Sequence, residues 1–249
     1  MTRASTDTTS LRDRLQRANN VVVLTGAGIS APSGLRTYRG PGGLWTTNEA
    51  LAKQLVAGVD PQALWSVTRE WRSAISHATP NAAHHALAAF ERRASARGAA
   101  FMLITQNIDG LHVQAGSQSV IELHGAIRRS RCSRSDCDEP PFVDARTCVD
   151  VPACARCRAP VRPDIVLFEE RLGALEEWTA KKALRDVDLF VAIGTSGTVS
   201  PASGFVRSAE YAGAHTALLN LEVPSNDDES PFDESHAGDA ALLVARYFA

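Results

Sequence analysis

Nothing in the 249 residues stays apolar long enough to cross a bilayer, so no membrane-spanning helix is expected. The opening stretch, MTRASTDTTSLRDRLQRANN, has no apolar centre, which argues against a secretory signal. Neither charge sign dominates: 26 Lys and Arg stand against 28 Asp and Glu, for a net charge of -2 and a pI near 6.4. Such a balance does not call for nucleic acid or a membrane surface as a partner. Cysteine is scarce and odd in number, with five residues, which speaks against a disulfide framework and for a reducing, cytoplasmic setting. There is no internal repeat and no low-complexity segment, so a solenoid is not expected. What remains is ordinary globular composition, 44% hydrophobic and 22% charged, in a chain long enough for one domain with an inserted module.

Short apolar runs alternate with helical patterns. Val21–Leu24, Phe101–Thr105, Val120–His124, Asp188–Ile193 and Thr216–Leu221 read as buried strands. Helices are expected near 10–18, 61–77, 81–96, 173–185, 201–212 and at the apolar tail from Ala240 to Phe248. Residues 224–238, polar and acidic, read as loop. The alternation predicts an α/β fold with a mostly parallel, Rossmann-like sheet covered on both faces. Between 128 and 161 the apolar runs vanish and Arg, Cys, Asp and Pro dominate, as in an inserted module. The expected organisation is therefore a large nucleotide-binding part (10–40, 99–127 and 162–249), a helical insert (41–98) and a small module (128–161).

That module holds Cys132-x4-Cys137 and Cys154-x2-Cys157. Two close pairs separated by a loop suit a tetrahedral zinc ion, each pair supplying two corners. Four thiolates leave no open position for water, so the ion would be structural. Cys148 is left over.

The candidate chemistry sits at predicted strand ends. Gly26-Ala27-Gly28-Ile29-Ser30-Ala31 follows a buried strand and fits the G-x-G-x-x-G/A phosphate fingerprint. An acidic residue about 20 positions on would be Glu49, away from any strand end; Glu222, after Asn220-Leu221, is better placed for a ribose. Gln106-Asn107-Ile108-Asp109, His124-Gly125 and Gly194-Thr195-Ser196 also lie where ligands bind in open α/β sheets, outside the carboxyl ends of strands.

Taken together, these segments resemble the sirtuins, the Sir2 family of NAD-dependent protein deacylases. The resemblance rests on Gly26–Ser30 with Ser33-Gly34 and Tyr38-Arg39-Gly40, Thr105–His112 with Ala115-Gly116, Glu122–Gly125, the four cysteines, Arg162-Pro163 with Ile165-Val166 and Phe168, and Gly194–Ser196 with Pro201-Ala202. They occur in the family's order over roughly residues 20 to 245. The resemblance implies that NAD and an acyl-lysine protein substrate meet in a cleft between the large and small parts of a monomer. The acyl oxygen would attack C1′ of the nicotinamide ribose, and nicotinamide would leave. His124 would act as general base for a ribose hydroxyl, which then attacks the acyl-derived carbon. Asn107 would order the ribose and a water. Ile108 and Asp109 would hold the nicotinamide amide, with Gln106 beside them. Gly26, Ala27, Gly28 and Ile29 would contact the cofactor, and Thr37, Tyr38, Arg39 and Trp45 would belong to the segment closing over it. Gly194, Thr195 and Ser196 would lie along its phosphates, Asn220 and Glu222 at the adenosine ribose, and Ala240 against the adenine. Val166 and Phe168 would pair with the peptide by strand addition.

Three departures from the family pattern stand out. Glu169 replaces the usual glycine of the peptide-binding segment, and Arg36 a common proline. Thr68 and Trp71 fall where relatives that accept acidic acyl groups carry Tyr and Arg, which favours acetyl or longer apolar groups here; Arg69 and Arg72 are one register away. The same fold could instead serve an NAD glycohydrolase, an ADP-ribosyltransferase or a non-enzymatic NAD sensor.

Overall fold

The computed structural model describes residues 9–37, 55–56, 58–146, 150–195, 203–224 and 230–249. Among them are nine strands: β1 (Asn20–Thr25), β2 (Ala100–Thr105), β3 (Val120–Glu122), β4 (Gly125–Cys132), β5 (Phe142–Val143), β6 (Val161–Ile165), β7 (Leu189–Ile193), β8 (His215–Asn220) and β9 (Glu234–Ala237). The α-helices are α1 (Leu11–Arg17), α2 (Pro61–His77), α3 (Ala82–Ala96), α4 (Leu111–Gln114), α5 (Ala174–Ala183), α6 (Ser203–Tyr211) and α7 (Ala240–Phe248).

Six strands form one all-parallel sheet in the order β3-β2-β1-β7-β8-β9. This is the doubly wound order, in which the winding reverses between β1 and β7. Side chains of a strand alternate between faces, and β1 shows why an unbroken apolar run is needed there. Val21 and Val23 enter one core with Leu11, Leu15, Leu87, Phe90 and Phe248, under α1, α3 and α7. Val22 and Leu24 enter a second core with Ala180, Phe190, Phe205 and Val206, under α5 and α6. Both faces are covered, so a polar residue at either register would be stranded.

The segment 224–238 contains β9, where loop is the sequence expectation. Its residues, Glu-Ser-His-Ala, have no apolar signature because an edge strand with half-exposed side chains needs none.

A second sheet, β5-β4-β6, is antiparallel and carries the cysteines. It reaches from 125 to 165, wider than the 128–161 expected from composition. One face of this sheet is charged, which hides its central strand from sequence reasoning: Arg129 and Arg131 from β4 meet Asp164 from β6. Helix α2 locks onto this sheet. Asp60 caps it by accepting the Ala63 N–H, and Pro61 occupies its first turn. Trp65, fully buried, donates its indole N–H to the Val161 carbonyl at 2.9 Å and packs on Cys132 and Cys154. Arg72, also buried, donates to the carbonyls of Ile127, Asp144 and Arg146 and lies over the Trp65 ring.

The two sheets meet at Gly125. Its φ is +77°, and a Cβ there would lie 2.1 Å from the Asp164 carbonyl oxygen. Gly125→Ala should therefore lose about 2 kcal/mol or more of stability, read as a lower urea midpoint with an unchanged slope. A substitution within ~0.5 kcal/mol of wild type would contradict this packing.

Candidate functional site

The carboxyl ends of β1 and β7 define the crevice. Gly26 N–H donates to the Ile193 carbonyl at 3.0 Å and Gly28 N–H to the Gly194 carbonyl at 2.9 Å. A Cβ on Gly26 would stand 2.8 Å from the Gly194 oxygen, and one on Gly28 only 2.7 Å from the Gly194 Cα. Gly194 itself has φ +60°. These three glycines are thus required by backbone contact, and Ala27–Ile29 form a short 3-10 turn at the mouth of the crevice. Ile29 is fully buried and anchors that turn in the core. From the next strand, Gln106 donates through Nε2 to the Thr195 hydroxyl at 2.9 Å, joining the β2 and β7 ends across the glycine turn.

Beneath the turn lies a buried polar network. Asn107 Nδ2 donates to the Gly26 carbonyl at 3.1 Å and to the Ser30 hydroxyl at 3.2 Å. Ser30 donates to Asp109 Oδ2 at 2.7 Å, and Asp109 Oδ1 accepts the Leu111 N–H at 2.9 Å. Burial pushes the Asp109 carboxyl up despite both hydrogen bonds. His84 accepts the Asn81 N–H on Nδ1, so Nε2 carries the hydrogen facing Ser30. Burial lowers His84 to about 4 and holds His112 well below its ordinary value, so both rings, 4.7 Å apart, are neutral. His112 Nε2 lies 3.0 Å from the Thr25 hydroxyl, which donates to Thr105. Ser30 and His84 carry much of this arrangement, and sequence reasoning gave neither a role of its own. The usable signal is Asn81-x-x-His84, a capping box that ties α3 to the glycine turn through Asn81 Nδ2 and the Ile29 carbonyl.

His124 stands at the junction of the two sheets. Leu123 before it bonds to the Thr105 carbonyl of the large sheet, while Gly125 after it pairs with Ile165 of the small one. Its own carbonyl accepts the Val166 N–H at 2.9 Å. Nδ1 lies 2.9 Å from the Gln106 carbonyl, which can only accept, so Nδ1 carries the hydrogen and Nε2 keeps a lone pair. Burial lowers the pKa of this ring, against the opposing effect of that hydrogen bond. A neutral imidazole whose Nε2 has no hydrogen-bond partner among the described residues is the form needed of a general base.

Of the remaining expected residues, Ile108 is buried beside Leu64, Ile127 and Ile165, and Thr37 is half-buried. Tyr38, Arg39, Trp45, Ser196 and Cys148 lie outside the described residues. Asn220 ends β8, with Nδ2 donating to the Glu222 carbonyl, and Glu222 is exposed beside it. Ala240 is buried in the first turn of α7, which Asp239 caps. Val166 is half-buried and Phe168 exposed; Phe168 N–H donates to the Leu55 carbonyl, with a parallel bridge to Val56. Thr68 is fully buried with its hydroxyl on the Leu64 carbonyl, so it offers no free polar group. Trp71 is half-buried against the cluster of Leu64 and Ile75. Arg72 is occupied by three carbonyls, which removes it as a spare cation for an acyl pocket; Arg69 is exposed.

Glu169 is not on a strand. β6 ends at Ile165, and Glu169 turns with φ +66°. The family's glycine at this position has its reason in that left-handed backbone, which disfavours any Cβ.

The four cysteine sulfurs lie within 4.8 Å of one another, with Cys132–Cys157 at 3.5 Å and Cys137–Cys154 at 3.9 Å. A tetrahedral ion with zinc–sulfur bonds of about 2.3 Å requires sulfurs ~3.8 Å apart, so the donor set fits. The Cys154–Cys157 knuckle is closed by Arg158 N–H on the Cys154 carbonyl, with Arg158 at φ +63°. Burial pushes the Cys132 thiol up, and a cation held by the four sulfurs would favour its thiolate. One zinc per chain is the expected stoichiometry. Stripping it with a chelator should lower stability by roughly 3 kcal/mol or more, measured by thermal melts with and without added zinc. A metal-free chain with an unchanged melt would refute the assignment.

The Sir2 family pattern matches residues 26–201. The NAD-dependent protein deacylase of Thermus thermophilus is 41% identical over 222 residues, covering 85% of this chain and 83% of that protein. Among solved structures, a Sir2 homologue mutant bound to ADP-ribose superposes with a TM-score of 0.85 at 31% identity, covering 96% of this chain and 94% of that one. A Sir2 histidine-to-alanine variant with a deacetylated p53 peptide and 3′-O-acetyl ADP-ribose gives a TM-score of 0.79 at 30% identity, covering 94% of each chain.

Proposed function

The chain belongs to the Sir2 family, and we propose that it removes acyl groups from protein lysine side chains, with NAD and one water as co-substrates, releasing nicotinamide, O-acyl-ADP-ribose and free lysine. The observation that carries this reading is the 2.9 Å contact of His124 Nδ1 with the Gln106 carbonyl, which can only accept: the hydrogen then sits on Nδ1, and Nε2 is available to take a proton. A site that only bound NAD would not need that.

Bound NAD supplies the labile nicotinamide–ribose bond and a ribose hydroxyl of use only when deprotonated. Gly26, Ala27 and Gly28, with Gly194 and Thr195, offer backbone that approaches a pyrophosphate closely. Asn107 and Asp109, fixed through Ser30, present an amide and a carboxylate of set orientation, suited to a ribose and to the carboxamide of nicotinamide. His124 draws the ribose proton onto Nε2. Val166 and Phe168 lie in the segment that accepts the peptide. Asn220, Glu222 and Ala240 are assigned to the adenosine end, and Tyr38, Arg39, Trp45 and Ser196 to the cofactor by resemblance alone. The zinc holds the small sheet and does no chemistry.

The acyl group is acetyl or a longer apolar one. Neither Thr68 nor Trp71 offers a cation, and Arg72 is committed elsewhere, so a carboxylate-bearing acyl group would be buried without its partner. The chain acts as a monomer in the cytoplasm, where its thiols stay reduced for zinc.

Nicotinamide release from NAD should require an acyl-lysine peptide and be fastest with acetyl or apolar acyl chains. His124→Ala should retain NAD binding and lose turnover by about 100-fold or more. Release unaffected by any peptide would leave an NAD glycohydrolase. Because the base works unprotonated and its pKa is lowered, kcat/KM should fall only on the acid side of the ordinary histidine value near 6.5. An acid limb above that value would exclude His124 in this state.

A further inference from the structure

The segment that accepts the peptide ends in a short charged stretch whose acids are not equivalent. Asp164 lies 3.1 Å from Arg129 and 3.5 Å from Arg131. Glu170 lies 2.5 Å from Arg162 and also accepts the Leu167 N–H at 2.9 Å. Both are therefore neutralised by the small sheet. Glu169 is exposed, and none of the described residues forms a hydrogen bond or ion pair with its carboxylate. It directly follows Phe168, a residue 41% exposed whose N–H is already taken by the Leu55 carbonyl.

Glu169 also holds an unfavourable backbone. Its φ of +66° is one that glycine adopts freely and that a residue with a Cβ adopts at a cost. A strained position occupied by a large charged side chain, with no internal partner to explain it, points outward to a ligand. A peptide laid along Val166–Phe168 would bring its neighbouring side chains past this carboxylate. We propose that Glu169 is a specificity-determining residue that selects acyl-lysine sites flanked by lysine or arginine. The inference rests on the deacylase reading and names the substrate class of the same site. Recognition comes from one exposed carboxylate and a cationic side chain, so the preference is modest and sensitive to salt. Arg171, at the surface two residues on, would favour acidic flanks if it dominated.

The test uses the full chain with zinc and NAD, and matched acetyl-lysine peptides carrying Lys, Gln or Glu at each flanking position in turn. At low salt, kcat/KM should be about 2–5-fold higher for the best basic peptide than for its Gln counterpart. The ratio should approach one near 0.5 M salt, where the screening length is roughly 4 Å. Glu169→Gln keeps the side-chain size and the turned backbone, and should bring the ratio close to one. Glu169→Asp should retain the preference, and Glu169→Lys should reverse it towards Glu peptides. A basic preference undiminished in Glu169→Gln, or no basic preference in wild type, overturns the proposal while leaving the deacylase reading intact. A wild-type preference for acidic flanks overturns it in favour of Arg171. Absence of turnover with every peptide overturns the deacylase reading and this inference with it.

Discussion

The backbone of Gly28 passes so close to Gly194 that a Cβ on either residue would collide with the other's main chain. That approach brings the ends of β1 and β7 together at the point where the sheet reverses its winding. It ties the N–H groups of Gly26 and Gly28 to the carbonyls of Ile193 and Gly194, and it brings Gln106 within reach of Thr195. The rest of the site is built on this contact. Ser30 leaves the same turn and becomes the hub to which Asn107, Asp109 and His84 bond.

The polar groups beneath the turn are buried, and their desolvation is offset by pairing rather than by charge. Two histidines side by side are held neutral by burial, one of them also serving as half of a helix cap. Asp109 keeps two donors although burial works against its ionisation. His112 Nδ1 is buried with no partner among the described residues, whereas Asn107 and Asp109 are paired and take their orientation from Ser30.

The second constraint is mechanical. β4 is one eight-residue strand with the His124–Gly125 junction at one end and Cys132 at the other. Trp65 and Arg72 of α2 clamp that strand and its neighbour, so the cysteine-bearing sheet, α2 and His124 share one connection. His124 owes its position to both sheets, since the residue on each side of it belongs to a different one.

The sheet was legible from apolar runs such as Val21–Leu24 and Phe101–Thr105, because a strand buried on both faces must be apolar at every position. The glycine turn, the strand-end polar residues and the cysteine spacing were legible too, since each is imposed by local geometry. β9 and the outer parts of the small sheet were not, because their exposed faces tolerate polar side chains. Nor was the work of Ser30, whose side-chain hydrogen bonds reach 54 to 79 residues along the chain, of His84, which links Asn81 three residues back to Ser30 54 residues back, or of Arg72, whose carbonyl partners lie 55 to 74 residues away. The glutamate at 169 could be seen as an anomaly, yet only its positive φ gave the physical reason for the glycine it replaces. By itself the sequence determined the fold class and the family, and it set four cysteines at a spacing that suits zinc, because those depend on residue type and spacing. The tertiary structure decided the tautomer of His124, the commitment of Arg72 and the isolation of Glu169, because each depends on a partner, or the lack of one, brought near only by folding.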